Sequence, residues 1–332
     1  MTRTARTGLL VAVAFLVTMA VLLRSYVYGN ALILPLEQRR TQHLVASAAS
    51  YLDTATLRVR DRVPVTATIS LYGDAAAGDE RTAVWVEFAT LETAFGQRID
   101  YHERRTAFDR RTGMIVDCCE PYVDDDPRAR QSGLAFRLPF AAEPREYPIY
   151  DPVLRRQVPL RFEGEETIEG LPVYRYSYAA GPAKAEDLPD VFTPEALGLP
   201  HAKGTPAFVD VSRYIRIKRT LWVEPESGLP VRVREQRTDT LRTADQVDRL
   251  VALRADLVTD PLDEQIQVAE ARGFRTWVIL VRDVLPVVCL ALALLVAAFA
   301  WWAERRTRRR TRSSAAAQDQ QQVPGHDLAQ AG

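Results

Sequence analysis

Cysteine, histidine and lysine are all scarce in this chain of 332 residues. Three cysteines cannot staple a small disulfide framework. Four histidines, His43, His102, His201 and His326, stand far apart with no evident partners and leave little for a metal cluster. Of 43 basic residues only Lys184, Lys203 and Lys218 are lysine, which with the many alanines points to a GC-rich genome and says nothing of function. Net charge is lacking too: 43 acidic side chains balance the 43 basic ones, which argues against a nucleic-acid binder. No G-x-S-x-G, Walker loop, H-E-x-x-H or kinase-like constellation occurs, so neither an enzyme nor a cofactor or metal site is expected. At 47% hydrophobic and 26% charged, the chain has the composition of a folded protein.

What is present is two long apolar runs. The first, residues 8–28, is uncharged from Gly8 to Leu23 and continues past Arg24 to Tyr26 and Tyr28. The second, residues 282–303, begins at Arg282 and Asp283 and ends in Trp301 and Trp302. A helix needs about 20 apolar residues to cross the hydrocarbon core. The second run meets this outright. The first meets it if Arg24 snorkels to the interface, where Tyr26 and Tyr28 also belong. It is long for a signal-peptide core and no A-x-A site follows, so it reads as an uncleaved anchor. Arg282 and Asp283, at the edge of the second span, read as a mutual ion pair.

Charge placement gives the orientation. A short N-terminal segment, residues 1–7, carries Arg3 and Arg6. The segment after the second span, residues 304–332, carries Arg305, Arg306, Arg308, Arg309, Arg310 and Arg312. The positive-inside rule puts both termini in the cytoplasm and everything between the spans outside. The arginine cluster suits anionic lipid rather than nucleic acid. The tail beyond Ser313 is Ala/Gln-rich and is expected to be disordered. Residues 29–281 hold 33 basic and 39 acidic side chains, a net of −6, so the overall balance conceals an acidic external part and a basic internal fringe.

The external segment, residues 29–259, reads as antiparallel sheet. Alternation recurs at 57–61, 65–72, 83–88, 98–108, 160–163, 173–178 and 214–223, with β-branched and aromatic residues prominent. These strands read as short, with Arg and Glu on solvated faces. Two strand–turn–strand units, Arg105 to Val116 and Arg219 to Val231, look alike, which suggests two related halves of one curved sheet or half-barrel. Leu44 to Leu52 reads as a short helix. Residues 260–281 read as a juxtamembrane helix with an Asp260-Pro261 start, broken at Gly273.

Candidate chemistry is thin. Cys118 and Cys119 are adjacent, and read as either a vicinal disulfide or a free or intermolecular pair. Cys289 lies inside the second span and reads as a small apolar residue. Asp124-Asp125-Asp126 reads as a solvated turn rather than a calcium loop. Glu165-Glu166 reads as a hairpin edge rather than an acid/base pair.

Several stretches resemble the porin PorA family of actinobacterial envelope proteins. They include Arg24-Ser-Tyr-Val-Tyr28, Asp109-Arg-Arg-Thr-Gly113 leading into Cys118-Cys119, Tyr147-Pro148, Gly164-Glu165-Glu166 and Glu224-Pro225 with Gly228. The resemblance covers roughly residues 20–240 and the second span. It implies a two-anchor cell-envelope protein and carries over no catalytic residues. Short, charged strands do not suit a lipid-facing barrel pore. The expected function is therefore an external β domain that binds or passes on a lipid or other hydrophobic component. A docking protein for envelope partners and an oligomeric pore are the alternatives. Membrane lipid is the expected partner.

Overall fold

The structure, a computed structural model, describes residues 3–188, 192–200 and 207–320. Two compact units divide it, one of residues 32–275 and one of residues 1–31 with 276–332.

The larger unit is a single antiparallel sheet of eleven strands in the order β5-β4-β3-β2-β1-β11-β10-β9-β8-β7-β6. In chain order these are β1 (Arg39–Asp53), β2 (Arg58–Gly73), β3 (Thr82–Thr93), β4 (Arg98–Asp109), β5 (Tyr122–Val123), β6 (Tyr147–Asp151), β7 (Arg156–Ile168), β8 (Leu171–Leu188), β9 (Val211–Glu224), β10 (Leu229–Arg242) and β11 (Asp248–Thr259). Two meanders meet where β1 pairs with β11. The expectation of short strands is corrected: apart from β5 and β6, each strand runs 12–18 residues. The alternations at 57–61 and 65–72 belong to one strand, β2, and not to two. Leu44 to Leu52 is not a helix but the middle of β1, paired on both sides, where tertiary pairing overrides the helix propensity of an alanine-rich run.

The sheet curls until its edges approach, and two short segments bridge the gap. Asp109 N donates to Met114 O at 2.8 Å, Ile115 N to Gly133 O at 2.8 Å, and Leu134 N to Pro148 O at 2.7 Å. Backbone bonding thus runs from β4 through 114–116 and 133–135 to β6. Gly133 makes the last step possible. Its φ is +90°, and a Cβ there would lie 2.9 Å from Pro148 O. Inside the curl, Leu44, Leu91, Leu134, Ile149, Tyr176, Leu221 and Val233 belong to the main core cluster.

The two look-alike units close in the same turn. Gly113 N donates to Asp109 O at 2.8 Å and Gly228 N to Glu224 O at 2.9 Å. In each, the acidic side chain accepts from backbone N–H groups two and three residues on.

Helix α3 (Pro261–Ile279) starts at the Asp260 cap, whose carboxylate accepts from Leu262 N. Its Val268 and Ala271 pack against Ile168, Leu171, Val173 and Val231. Gly273 lies within the helix and does not break it, contrary to expectation.

In the smaller unit, α1 (Arg3–Leu22) continues through a π turn into α2 (Tyr28–Ala31), and α4 (Leu285–Gln320) follows another π turn. Two helical stretches, Thr4–Ala31 and Pro261–Arg306, are long and apolar enough to cross a membrane. Large apolar side chains on them, such as Phe15, Val21, Leu294 and Phe299, are exposed rather than packed in a core. The expected disorder beyond Ser313 is corrected as far as Gln320, which ends α4; residues 321–332, with His326, lie outside the described residues.

Candidate functional site

Alternation on a curled sheet puts every second side chain inside. On β4 the inward set is Asp100, His102, Arg104 and Thr106; on β10 it is Val233, Glu235, Arg237 and Asp239. The expectation that alternate charges mark solvated faces therefore fails on these strands. β10 is charged on both faces, with Arg234 and Gln236 exposed outside while Glu235, Arg237 and Asp239 are buried within.

Burial without water requires pairing, and these charges are paired across the lumen. Arg237 Nη2 lies 2.6 Å from Asp100 Oδ2 and 2.8 Å from Asp239 Oδ2. Arg213 Nη1 is 3.6 Å from Asp100. His102 sits between two carboxylates, with Nε2 3.2 Å from Asp100 and Nδ1 3.1 Å from Asp124. Burial works to lower the His102 pKa, but the bonds to Asp100 and Asp124 overcome it and push it up to about 9. Burial likewise works to raise Asp100, yet Arg237 and His102 hold its carboxyl well below the usual range. A second group joins Arg219 to Glu235 and to Asp151, which also accepts from the Tyr178 hydroxyl. His102 thus has partners that spacing did not reveal, as does His43, whose Nδ1 is 2.9 Å from Asp263. His201 lies outside the described residues.

Above this network lies a cavity of about 230 Å³. Its walls include Leu44, Ile69, Leu71, Trp85, Leu91, Ile149, Leu221, Val233 and Leu257. Polar groups interrupt them. Arg104 is clamped by Glu87, Nε to Oε1 at 2.8 Å and Nη2 to Oε2 at 3.2 Å, and its guanidinium lies 4.3 Å from the centre of the Phe136 ring. Arg137 stacks 4.8 Å over Phe140, which in turn stacks on Phe274 of α3. Burial, with Arg40 adding repulsion, brings the Arg137 pKa down to about 10. Glu270 of α3 completes this side of the lining and pairs with Arg40 at 3.1 Å.

Apart from His102 and Asp124, the residues singled out from sequence lie elsewhere. Cys118 and Cys119 are joined as a disulfide after the Gly113 turn, where Cys119 O accepts from Arg105 Nε at 3.2 Å. The Asp124 carboxylate belongs to the luminal network and also meets Arg155 at 2.9 Å. Glu166 accepts from Trp222 Nε1 at 2.7 Å and pairs with Arg175. In the helical unit, Arg24, Tyr28, Arg282 and Asp283 form one cluster. Arg282 Nε is 3.1 Å from Asp283 Oδ2, Arg24 Nη1 is 3.7 Å from Asp283 Oδ1, and the Arg282 guanidinium lies 5.6 Å from the Tyr28 ring centre. Tyr26 is exposed. Arg305 and Arg306 stack over Trp301 and Trp302 at 3.6 and 5.2 Å. Arg308, Arg309, Arg310 and Arg312 lie on α4, and their side chains are outside the described part.

Residues 7–302, both apolar helices and the whole sheet between them, match the family described as Porin PorA. The chain belongs to the porin PorA family. A Porin PorA of Corynebacterium amycolatum is 32% identical over 129 aligned residues, which span 33% of this chain and 33% of that protein. The porin PorA fold in this chain is thus a curled antiparallel sheet whose sequence is bounded by two apolar helices. On β7 and β10 most outward positions, among them Gln157, Arg161, Glu163, Glu165, Arg234 and Gln236, are polar. A barrel that crosses a bilayer with its strands presents an apolar outer band instead.

Proposed function

We propose that this protein is a membrane-anchored envelope component whose curled sheet takes a lipid or another hydrophobic molecule into its lumen. The observation that carries the reading is the cavity of about 230 Å³, walled by Leu44, Ile69, Leu91, Leu221 and Leu257 and floored by a paired charge network. Apolar walls with a few placed polar groups are the usual make-up of a small-molecule site, although this one falls just below the common range of roughly 300–1,000 Å³. A short chain, or one part of a longer lipid, suits it best. The proposal includes a two-pass topology with both termini cytoplasmic and the β unit outside, supported by arginines beyond both spans. Native mass spectrometry with lipid extraction of the purified full-length protein tests the binding. A bound apolar molecule in stoichiometric amount is expected; an empty protein from its native membrane overturns the reading.

A second reading has support from the family's name, porin, and from the two apolar helices: an oligomer of this chain forms a pore. The polar outward positions of β7 and β10 favour α1 and α4 over those strands for the lipid contact in such a pore. Purified protein that raises the conductance of planar bilayers supports this reading, and bilayers left silent count against it.

A further inference from the structure

Arg104 Nη1, the Tyr150 hydroxyl and Arg137 Nε line the cavity without a hydrogen-bond partner among the described residues. Of these, Arg104 is 4% exposed and Tyr150 2%, and both are held inside the sheet. They stand on β4 and β6, the strands joined by the bridging segments, and the Arg104 guanidinium is 5.9 Å from the Tyr150 ring centre. Both residues line the cavity. A buried donor left unsatisfied is costly, and Arg104 Nη1 and the Tyr150 hydroxyl, on neighbouring walls of one cavity, mark a place where a ligand atom belongs.

The chemistry of that atom follows from the charges around it. Tyr150 is pushed by burial up to about 12, so it is a protonated hydroxyl at any physiological pH. Arg104 already has its charge balanced by the two-point contact with Glu87. An anionic ligand on Nη1 would put a second negative charge beside Glu87 in a low-dielectric site, which is unfavourable. A neutral oxygen with two lone pairs accepts from both donors without that penalty. Arg137, whose Nε also lacks a partner, is influenced by Arg40, Glu270 and Glu224, and its nearest acidic influences lie on that side rather than beside Tyr150.

We propose that Arg104 and Tyr150 anchor the carbonyl oxygen of an acyl ester, with the hydrocarbon lying along Ile69, Leu91 and Leu221. This rests on the reading of the lumen as a lipid site and names the class of lipid: neutral acyl ester rather than free acid or plain hydrocarbon.

The test is calorimetric titration of the full-length protein in detergent with methyl octanoate, octane and octanoate, repeated on Tyr150→Phe. Methyl octanoate is expected to bind tighter than both others. Tyr150→Phe is expected to weaken the ester by roughly three- to tenfold and leave octane unchanged. Because the hydroxyl has no partner among the described residues, the melting temperature of the variant without ligand stays at or above that of the parent, which separates anchoring from a structural role. Octane binding as tightly as the ester, octanoate binding more tightly, or equal losses for ester and octane in the variant would each overturn the anchor while leaving the luminal site intact. Failure of all three probes to bind would overturn both.

Discussion

Arg237 on β10 and Asp100 on β4 meet across the lumen, Nη2 to Oδ2 at 2.6 Å, although β3, β2, β1 and β11 separate their strands in the sheet. Only a sheet curled back on itself brings them together. The ion pair is nearly dry, with Arg237 5% and Asp100 10% exposed in their side chains. Breaking one partner of such a pair leaves an uncompensated buried charge. Arg237→Met is therefore expected to destabilise the protein by about 3–5 kcal/mol. The double variant Arg237→Met with Asp100→Leu is expected to recover only part of that loss, because Asp239 keeps a buried charge with Arg213 3.7 Å away. Chemical denaturation of the three proteins checks this, and equal costs for single and double variants would show that the pair is not the cause.

The same network makes stability depend on pH. His102 has its pKa raised from an ordinary 6.5 to about 9 by Asp100 and Asp124, against the opposing effects of burial and of Arg237. A raised pKa means that the folded form holds the proton more tightly. The stabilisation is complete below about pH 6.5 and is lost as pH rises through about 9. It amounts to roughly 3 kcal/mol. On the acid side Asp100 and Asp124, both lowered, add stability above their ordinary 3.8 and lose it as pH falls below that. Melting temperature is expected to fall between pH 6.5 and 9 in the native sequence and to stay flat over that window in His102→Gln.

Gly113 and Gly228 close the same kind of turn at φ +73° and +69°, yet they do not tolerate a side chain equally. A Cβ on Gly228 would lie 2.2 Å from Leu138 O and 2.5 Å from Pro139 O, whereas on Gly113 nothing comes nearer than 3.6 Å. Gly113→Ala pays for the backbone conformation alone, about 1 kcal/mol. Gly228→Ala must also displace the backbone of the 138–139 segment and is expected to cost about 3 kcal/mol or more. Paired melting curves check the difference, and a matching cost at both sites would contradict it.

Filling the lumen is expected to abolish ligand uptake without unfolding the sheet. Ala89 lines the cavity from β3. An indole at that position occupies the space between the apolar walls, at an overpacking cost of about 1–3 kcal/mol. Ala89→Trp is expected to purify folded, by circular dichroism, and free of bound lipid.

How much of this was legible in the sequence differs by element. The apolar helices could be read directly, because some twenty consecutive apolar residues have few other uses. The sheet and its curvature class could be read from period-2 alternation and from the repeated turn at Gly113 and Gly228. The luminal site could not. Asp100, His102 and Arg104 alternate as a solvated face would, and nothing in a strand polar on both sides, such as β10, says which set points inward. That depends on Asp100 meeting Arg237 from 137 positions away. The bridging segments at 114–116 and 133–135 are too short to show any period, and Gly133 looks like any loop glycine until Pro148 is placed beside it. Leu44 to Leu52 misled because local propensity favours helix where β2 and β11 impose strand.

The central claim is that the ligand lies in the lumen and not merely against the apolar helices, to which any lipid adheres. The direct measurement is photo-crosslinking of full-length protein with an acyl ester bearing a diazirine on its chain, followed by peptide mapping. Adducts are expected on luminal peptides from β2, β3 and β9, around Ile69, Leu91 and Leu221, and are expected to disappear in Ala89→Trp. Adducts confined to α1 and α4, or luminal adducts undiminished in Ala89→Trp, would contradict the claim.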